Sequence, residues 1–524
     1  MLKNKIKIAL SSSLLLLAGC GGGGGSSSPA PAPPPTPVVV PTGGTDTFTP
    51  SVFQDQSVFR GMCVTPGANE TTGTYVDENN WLRSLTNDTY LWYDEIVDVD
   101  PASITDTQEY FGLMKTFRVT DTGTDVDQFS FSTPTEEFRR FVETGVTAGY
   151  GVTFLITSTT PPRQLLVSTT EPNTPATTNG VDLSRGALIL EVDGADLVNG
   201  NDVDTLNAGL FPENLNETHT FLIQDLNSST TRTITMTSTE ITSVPVQEVQ
   251  TVATASGPVG YILFNDHIAP AEQGLVDAVN QLNELGITDL VLDLRYNGGG
   301  FLDIANSFAY MIAGPTSAGQ TFEELQFNDK HPNFDPITGQ SLTPLLISSV
   351  ATGGFSVPQG VALPSLNLSR LFVLTGRGTC SASEAIINGL RGIDIEVIQI
   401  GDTTCGKPYG FYGLDNCGTT YLSVQFRGVN AMNFGDYSDG FSPVSATRAL
   451  AGAVLPGCSI ADDFTHVLGD PAEAQFAAAL GYRETGVCPP SASGSRSLIT
   501  GFDFSKVRGT PLKPAWQVGR IIGE

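Results

Sequence analysis

The sequence predicts a multidomain α/β protein, in which an α/β core follows a mainly helical region and a β-rich segment. From about residue 256, continuous apolar runs of strand length alternate with helical patterns, which is typical of buried parallel strands covered by helices. Before this point, residues 146–243 carry short alternating strands with glycine-containing turns, and residues 75–145 are mainly helical in pattern. The 524 residues leave room for about three domains.

The first residues have the pattern of an export signal. Three lysines precede an apolar stretch, residues 8–18, that is too short to cross a bilayer as a permanent helix. The stretch ends in Leu17-Ala18-Gly19-Cys20, which resembles a bacterial lipobox. This resemblance implies that residues 1–19 are a signal peptide and that Cys20 is lipidated. The alternative is an ordinary cleaved signal followed by a spare cysteine.

Residues 20–50 are predicted to be a tether, because Gly, Ser and Pro dominate and almost no charge is present. The lipobox resemblance implies that this tether is lipidated at Cys20. Gly21 is compatible with sorting to the outer membrane, since it is not the acidic residue associated with retention in the inner membrane. We therefore expect a lipid-anchored protein of the bacterial cell envelope, on the outer membrane and facing the periplasm.

The negative charge limits the partners of the protein. The formal net charge is −29, so the surface should repel nucleic acid and anionic lipid. The chain has no Cys-x-x-Cys pair, and its four histidines are scattered. We therefore predict no metal and no cofactor, and we interpret each histidine as structural.

Six cysteines remain when the predicted lipidation site is set aside. An even number in an exported chain favours disulfides. Closeness in sequence predicts two of the pairs, and elimination predicts the third. The predicted pairs are Cys405–Cys417, Cys458–Cys488 and Cys63–Cys380.

The segment 146–243 opens with Gly149-Tyr150-Gly151-Val152, a glycine-flanked start to a strand, and closes with a hairpin over residues 218–237. This order resembles a PDZ domain of the bacterial protease type. The resemblance implies that the backbone N–H groups of this opening turn bind the carboxylate of a peptide C-terminus, while the peptide adds as a strand. The alternative is a small β-barrel without a ligand.

The flanking segments complete the predicted domains. Residues 51–145 form a mainly helical domain with an aromatic cluster around Trp81, which we interpret as core. Residues 244–488 form the α/β core, and residues 489–524 form a tail in which the run 512–516 is an apolar anchor. The predicted core strands are 259–264, 289–294, 371–374 and 395–400, and the predicted core helices are 271–285, 304–312 and 382–390.

Ser381 and Lys407 are the candidate catalytic pair. Ser381 stands directly before a predicted helix, and Lys407 follows the next strand in Cys405-Gly406-Lys407-Pro408. A serine hydroxyl becomes a nucleophile when a base takes its proton, and a lysine can be that base where burial lowers its pKa. Glu384, three positions after Ser381, also fits a helix capping box, which needs no catalysis.

A second motif, Asp293-Leu294-Arg295-Tyr296-Asn297-Gly298-Gly299-Gly300, ends a predicted strand in a triple-glycine turn. Such a turn can point backbone N–H groups into a site. A phosphate-binding loop is disfavoured, because no Gly-Lys-Ser/Thr follows.

Taken together and in order, these motifs resemble the C-terminal processing peptidases, also called tail-specific proteases, over residues 75–480. The resemblance implies a ClpP/crotonase-like α/β protease core with an inserted PDZ-like domain. It implies Ser381 as nucleophile and Lys407 as general base. It further implies the N–H groups of Ala382 and Gly299 as donors to the oxyanion.

The sequence departs from the family pattern at one important position. The family has a glutamine four residues after the lysine, which orients the lysine, whereas this chain has Phe411. We expect Asp402, Thr403 or Tyr412 to hold Lys407 instead.

The resemblance implies a lipid-anchored serine endopeptidase that cuts proteins or peptides near their free C-termini. Phe411 motivates one alternative, a catalytically impaired pseudoprotease that binds peptides as a PDZ adaptor. A hydrolase of small esters or amides on the same core is the other alternative.

Overall fold

The computed structural model describes residues 48–120, 123–446, 453–490, 507–514 and 520–522. The predicted signal peptide, Cys20 and the tether up to residue 47 lie outside the described residues. Within the described ranges, no helix is both long enough and apolar enough to cross a membrane.

The N-terminal region and the β-rich segment after it contain the first elements of the fold. The helices of this part are α1 (Tyr75–Thr89), α2 (Thr107–Leu113), α3 (Thr135–Thr144) and α4 (Val203–Leu210). The strands are β1 (Met62–Cys63), β2 (Thr71–Thr72), β3 (Phe131–Pro134), β4 (Val146–Gly149), β5 (Val152–Ser158), β6 (Gln164–Thr170), β7 (Leu188–Val192), β8 (Ala195–Asp196), β9 (Thr218–Gln224), β10 (Thr231–Thr237) and β11 (Thr239–Thr242).

The core and the segments after it contain the remaining elements. The helices are α5 (Ala271–Glu284), α6 (Leu302–Ala313), α7 (Ala382–Gly392) and α8 (Ala474–Thr485). The strands are β12 (Val246–Val252), β13 (Val259–Phe264), β14 (Asp289–Asp293), β15 (Gly300–Phe301), β16 (Thr321–Gln326), β17 (Leu345–Leu346), β18 (Arg370–Thr375), β19 (Glu396–Gly401), β20 (Tyr409–Gly410), β21 (Leu414–Asn416), β22 (Thr419–Leu422), β23 (Phe426–Val429), β24 (Ser442–Pro443), β25 (Val454–Leu455), β26 (Gly457–Ser459), β27 (Thr510–Leu512) and β28 (Arg520–Ile521).

A six-stranded sheet in the order β12-β13-β14-β18-β19-β26 forms the centre of the core. β12 runs antiparallel to β13, and the other neighbours are parallel. Every residue of β13 and β14 is buried, as expected for parallel strands covered on both faces. The predicted core strands and helices are therefore confirmed, with boundaries within two residues of the prediction.

The two faces of this sheet pack against different helices. Ile262 and Phe264 of β13 belong to the cluster that contains α5, α6 and α7. Tyr261 and Leu263 alternate to the other face, where Tyr261 lies 4.6 Å from the ring of Phe476 in α8. Each fully buried large apolar side chain contributes about 1.5–3 kcal/mol of transfer free energy.

The β-rich segment forms a separate sheet in the order β10-β9-β7-β6-β5-β27, here called the small sheet, and its side chains form their own hydrophobic cluster with α4. The hairpin over residues 218–237 is confirmed in β9 and β10. β27 occupies the outer edge of β5, although it belongs to the segment that the sequence predicts to be a tail. The predicted α/β fold class, with a helical N-terminal region and an inserted β sheet, is confirmed.

The aromatic cluster of the N-terminal region is core, as predicted. Trp81 is almost fully buried, and its ring lies 5.4 Å from Tyr421 of β22. α1 begins at a capping box in which Asp77 accepts from the Thr74 N–H and the Thr74 hydroxyl accepts from the Asp77 N–H. Through Trp81, the helix packs onto the part of the chain that follows Lys407.

All six cysteines that were predicted to form disulfides do so, but two of the three predicted pairs are wrong. The structure contains Cys63–Cys417 and Cys380–Cys405, together with the predicted Cys458–Cys488. Cys405 is close to Cys417 in sequence, but its segment lies against the start of α7, where the Cα atoms of Cys380 and Cys405 are 5.1 Å apart. Three-dimensional contact between the segments therefore decides the pairing.

A buried ion network lies behind the glycine turn and joins the small sheet to the core. Arg295 contacts Asp293 and Asp462, and its two terminal nitrogens bind Glu473 at 2.9 and 3.0 Å. Arg185, which precedes β7, also binds Asp462, at 2.6 Å. Because these charges are buried, each requires its partners.

We expect Glu473→Ala to lower the free energy of unfolding by about 3–5 kcal/mol, because it leaves the buried Arg295 charge without its bidentate partner. Urea unfolding followed by circular dichroism measures this change. Glu240→Ala is the control, since Glu240 forms an exposed pair with Arg140 at 3.9 Å and should change the stability by less than about 1 kcal/mol. Equal losses in both variants would contradict the importance of the network.

Candidate active site

The turn before α7 holds Ser381 in an unusual backbone conformation. Its φ is 63° and its ψ is −112°, a region that costs a non-glycine residue about 1–3 kcal/mol. Neighbouring bonds fix the turn, because the Cys380 N–H donates to the Asn297 carbonyl at 3.0 Å and the Thr379 hydroxyl donates to the Leu294 carbonyl at 2.8 Å. These two hydrogen bonds, from the two residues that precede Ser381, hold the serine against the glycine turn.

Glu384 joins the two candidate catalytic segments through a single buried carboxylate. Its Oε2 accepts the Ser381 N–H at 2.9 Å and the Lys407 N–H at 2.8 Å. Its Oε1 accepts the Gly406 N–H at 2.9 Å and the Thr404 hydroxyl at 2.5 Å. Burial raises the pKa of the Glu384 carboxyl above its ordinary value, and these four donors oppose that rise.

The side chains of Ser381 and Lys407 are both fully buried. The Lys407 Nζ lies 4.3 Å from the ring centre of Phe411 and 4.9 Å from that of Phe129. These rings shield Nζ from water, while their π faces attract it when it carries a charge.

The residues that were expected to hold Lys407 each have another partner in the structure. Asp402 binds Arg508 at 2.5 Å, the Thr403 hydroxyl bonds to Ser442, and the Tyr412 hydroxyl donates to Asp335. The aromatic rings of Phe129 and Phe411 both lie close to the Lys407 amine.

The triple-glycine turn lies next to Ser381 and is organised by Asn297. The Gly299 N–H donates to Asn297 Oδ1 at 2.9 Å, and the same oxygen bonds to His267 Nδ1 at 3.0 Å. Gly300 has a φ of 135°, and a Cβ there would lie 2.2 Å from the His267 carbonyl oxygen, so only glycine fits. Ala382 is the first residue of α7, where N–H groups lack partners within the helix.

Comparison with known families identifies the segment that carries this geometry. Residues 258–410, which include Ser381, Lys407 and the glycine turn, match peptidase family S41. The chain carries a peptidase family S41 domain. The predicted resemblance is thereby confirmed at the level of the family, and the domain is that of a serine-type peptidase.

One solved structure supports the same fold. An S41 protease from Bacteroides fragilis aligns with a TM-score of 0.57 and 21% sequence identity, over 78% of this chain and 97% of that chain. The photosystem II D1 C-terminal processing protease aligns with a TM-score of 0.43 and 18% identity, over 74% of this chain and 94% of its own. No curated protein sequence matches the chain significantly.

His267 is part of the S41 domain but is not charged. Burial lowers its pKa to about 3, because the protein interior disfavours the imidazolium form. The neutral ring holds Asn297, and its backbone N–H donates to the Gly299 carbonyl at 2.9 Å. The interpretation of His267 as structural agrees with these contacts.

The contacts of three residues around the S41 site were not predicted from the sequence. Phe129 contacts Lys407 from a distant part of the chain, and nothing local in its sequence indicates this role. His267 follows strand β13, but its contact with Asn297 depends on two adjacent strand ends. Glu384 was recognised only as a helix cap, whereas its second oxygen and its bonds to the Lys407 loop depend on the fold.

The predicted peptide-binding turn lies in the small sheet, away from the S41 domain in sequence. Tyr150 is buried, and its hydroxyl donates to the Gly209 carbonyl at 3.0 Å. A Cβ at Gly151 would lie 2.4 Å from the Thr174 hydroxyl oxygen. A larger residue at Gly151 would therefore collide with the sheet's own Thr174, and such a variant does not report on ligand contact.

We expect loss of the Cys380–Cys405 bond to lower the peptidase rate by about 10-fold or more, because small displacements of reacting groups are costly. The double variant Cys380→Ala/Cys405→Ala and its kcat on a peptide substrate test this. Cys63→Ala/Cys417→Ala is the matched control, since that bond lies outside the Ser381 and Lys407 segments. Equal rates for the two double variants would contradict a special role for the first bond.

Proposed function

We propose that this chain is a Ser/Lys endopeptidase that cuts proteins or peptides near their C-termini. The observation that carries the proposal is the Glu384 oxygen that accepts both the Ser381 N–H and the Lys407 N–H. This shared acceptor keeps the candidate nucleophile and base as neighbours, although a helix and a strand separate them in the sequence.

In the proposed mechanism, the neutral Lys407 Nζ takes the proton of the Ser381 hydroxyl as Oγ attacks the scissile carbonyl carbon. The carbonyl π electrons move to oxygen, which accepts hydrogen bonds from backbone N–H groups. When the C–N bond breaks, Nζ returns the proton to the leaving amine. Water then attacks the acyl carbon while Nζ takes its proton. The bond from this carbon to Ser381 Oγ breaks, Nζ returns the proton to Oγ, and the new carboxyl terminus leaves.

The Ala382 N–H is the first proposed oxyanion donor, because it is at the N-terminal end of α7 directly after the nucleophile. The Gly299 N–H is the second, but it donates to Asn297 Oδ1 in this structure. Substrate binding therefore has to exchange this acceptor for the developing oxyanion.

The small sheet is the proposed binding site for the C-terminal tail of the substrate. Its strand β5 follows the Gly149–Val152 turn, and an extended peptide would add at the outer edge of β5, which β27 occupies in this structure. Lipidation at Cys20 and attachment to the outer membrane belong to the same proposal and follow from the lipobox-like sequence. The substrates would then be periplasmic proteins or peptides with free C-termini.

A peptide-binding adaptor without peptidase activity is the second candidate. The two aromatic rings next to Lys407 Nζ favour its charged form, whereas a general base has to be neutral. Phe411 also replaces the glutamine that the family has at this position. Turnover that depends on Ser381 excludes this candidate.

We expect Ser381→Ala and Lys407→Ala each to lower kcat by about 10³-fold or more while the protein stays folded. The double variant should lose little more than either single variant, because the two groups act as a unit. Peptide cleavage with mass-spectrometric mapping of the cuts measures the loss, and thermal unfolding checks the fold.

Ser383→Ala is the matched control for this experiment. The Ser383 hydroxyl donates to the Asn297 carbonyl at 3.1 Å, so its loss removes one structural bond but not the nucleophile. A Lys407→Ala variant with a near-wild-type rate would show that lysine is not the base.

A peptide with a free C-terminus should bind the small sheet more tightly than the same peptide amidated, by about 1.5–3 kcal/mol, because the N–H donors favour a carboxylate. Fluorescence anisotropy on the Ser381→Ala protein measures the difference without cleavage. A free-acid peptide of scrambled sequence controls for charge alone. Equal affinities for the acid and the amide would remove the tail-reading part of the proposal.

A further inference from the structure

The outer edge of β5, where a substrate tail would add, is occupied by the chain itself. β27 pairs antiparallel with β5, with Thr510 opposite Ile156 and Leu512 opposite Phe154. The segment thus runs toward the Gly149–Val152 turn. Leu512 packs against the hydrophobic cluster of the small sheet. This position and side-chain contact are those of a peptide bound by strand addition.

A buried ion pair anchors the same segment directly after β27. Lys513 Nζ lies 2.7 Å from Asp266 Oδ1 and 3.2 Å from the Asn265 carbonyl oxygen. The side chains of Lys513 and Asp266 are only 8% and 11% exposed. Asp266 directly precedes His267, so this anchor lies beside the residues that organise the glycine turn.

A second part of the segment lies at the glycine turn itself. β28 pairs in parallel with β15, with Arg520 opposite Gly300 and Ile521 opposite Phe301. On its other side, Ile521 forms a β-bridge with Phe411. β28 therefore lies between the strand next to the glycine turn and the residue whose ring contacts Lys407 Nζ.

The fit between this segment and the rest of the protein is close. A Cβ at Gly509 would lie 2.7 Å from the Leu155 side chain and 2.8 Å from the Ile156 carbonyl oxygen. A Cβ at Gly378, in the turn before Ser381, would lie 2.5 Å from Pro511. The side chain of Ile521 is 5% exposed and belongs to the main hydrophobic cluster of the core.

We propose that residues 509–514 and 520–522, here called the strap, are an intramolecular pseudo-substrate that occupies the peptide edge of the small sheet and the strand position beside the glycine turn. The inference rests on the proposed peptidase function. A substrate then has to displace the strap before it reaches Ser381, whose side chain is fully buried in this structure. The ligand class of both positions is an extended peptide with an apolar side chain at the place of Leu512 or Ile521.

An intramolecular occupant acts as a competitive inhibitor at a high effective concentration. It lowers the fraction of protein that can bind substrate, so it raises KM and leaves kcat unchanged once substrate saturates the site. A change in KM at constant kcat distinguishes the strap from a residue that takes part in the chemistry, because loss of such a residue lowers kcat.

The test compares the full chain with a chain that ends after Arg508, so that the contact between Val507 and Asp462 remains. Removal of the strap should lower KM for an unrelated peptide substrate by about 10-fold or more, with kcat within about 2-fold. A synthetic peptide with the sequence of residues 509–522 should inhibit the shortened chain competitively. Unchanged KM, together with no inhibition by this peptide, would overturn the proposal.

Two substitutions test the strap in the full-length chain, in case the shortened chain does not fold. Gly509→Val should displace β27 by steric collision, and Ile521→Asp should displace β28 by burying a charge, so each should lower KM. Gly481→Val and Val487→Asp are the matched controls, because a Cβ at Gly481 meets open space and Val487 is 67% exposed. Equal KM changes in the strap variants and their controls would also count against the strap.

Peptide binding by the Ser381→Ala protein tests the strap proposal independently of the proposed peptidase function. If no form of the protein shows cleavage that depends on Ser381, the peptidase function fails. The strap inference still stands in that case if its removal raises the affinity of the Ser381→Ala protein for a fluorescent peptide. It is overturned if the affinity does not change.

Discussion

The buried carboxylate of Glu384 is the constraint on which the candidate site depends. One oxygen accepts N–H groups from the residue before α7 and from the lysine loop, and the other accepts a third N–H and a hydroxyl. Because a buried ionised group needs these partners, the two segments cannot move apart without leaving it uncompensated. The positive φ of Ser381 persists because this surrounding structure holds it.

The second organising interaction is the buried guanidinium of Arg295, which belongs to the motif that forms the glycine turn. It binds carboxylates from the end of β14, from the residue directly before α8 and from the loop that also binds Arg185. The small sheet is thereby tied through Asp462 to the same turn that β28 and Asn297 contact. The sheet that we propose to bind peptides and the glycine turn are therefore joined by one connected set of ion pairs.

The sequence predicted the parts of this arrangement that follow from local pattern. The apolar run of β13 and the strand-to-helix turn at Ser381 have local signals, and the structure has the predicted elements there. The partner of Cys405, the ring of Phe129 over Lys407 and the pairing of β27 with β5 have none, because each joins segments far apart in the chain. The run starting at Leu512 was predicted as an anchor, but its docking site could not be predicted without the edge strand.

The disulfide between Cys380 and Cys405 encloses α7 and β19 in a covalent ring. The ends of this ring are the residue before Ser381 and the residue two positions before Lys407. Local opening of the helix or the strand, of the kind that amide hydrogen exchange detects, leaves these ends joined. A chain that has partly unfolded in this region therefore closes again with both segments in place, since their separation is limited by a bond that fluctuations do not break.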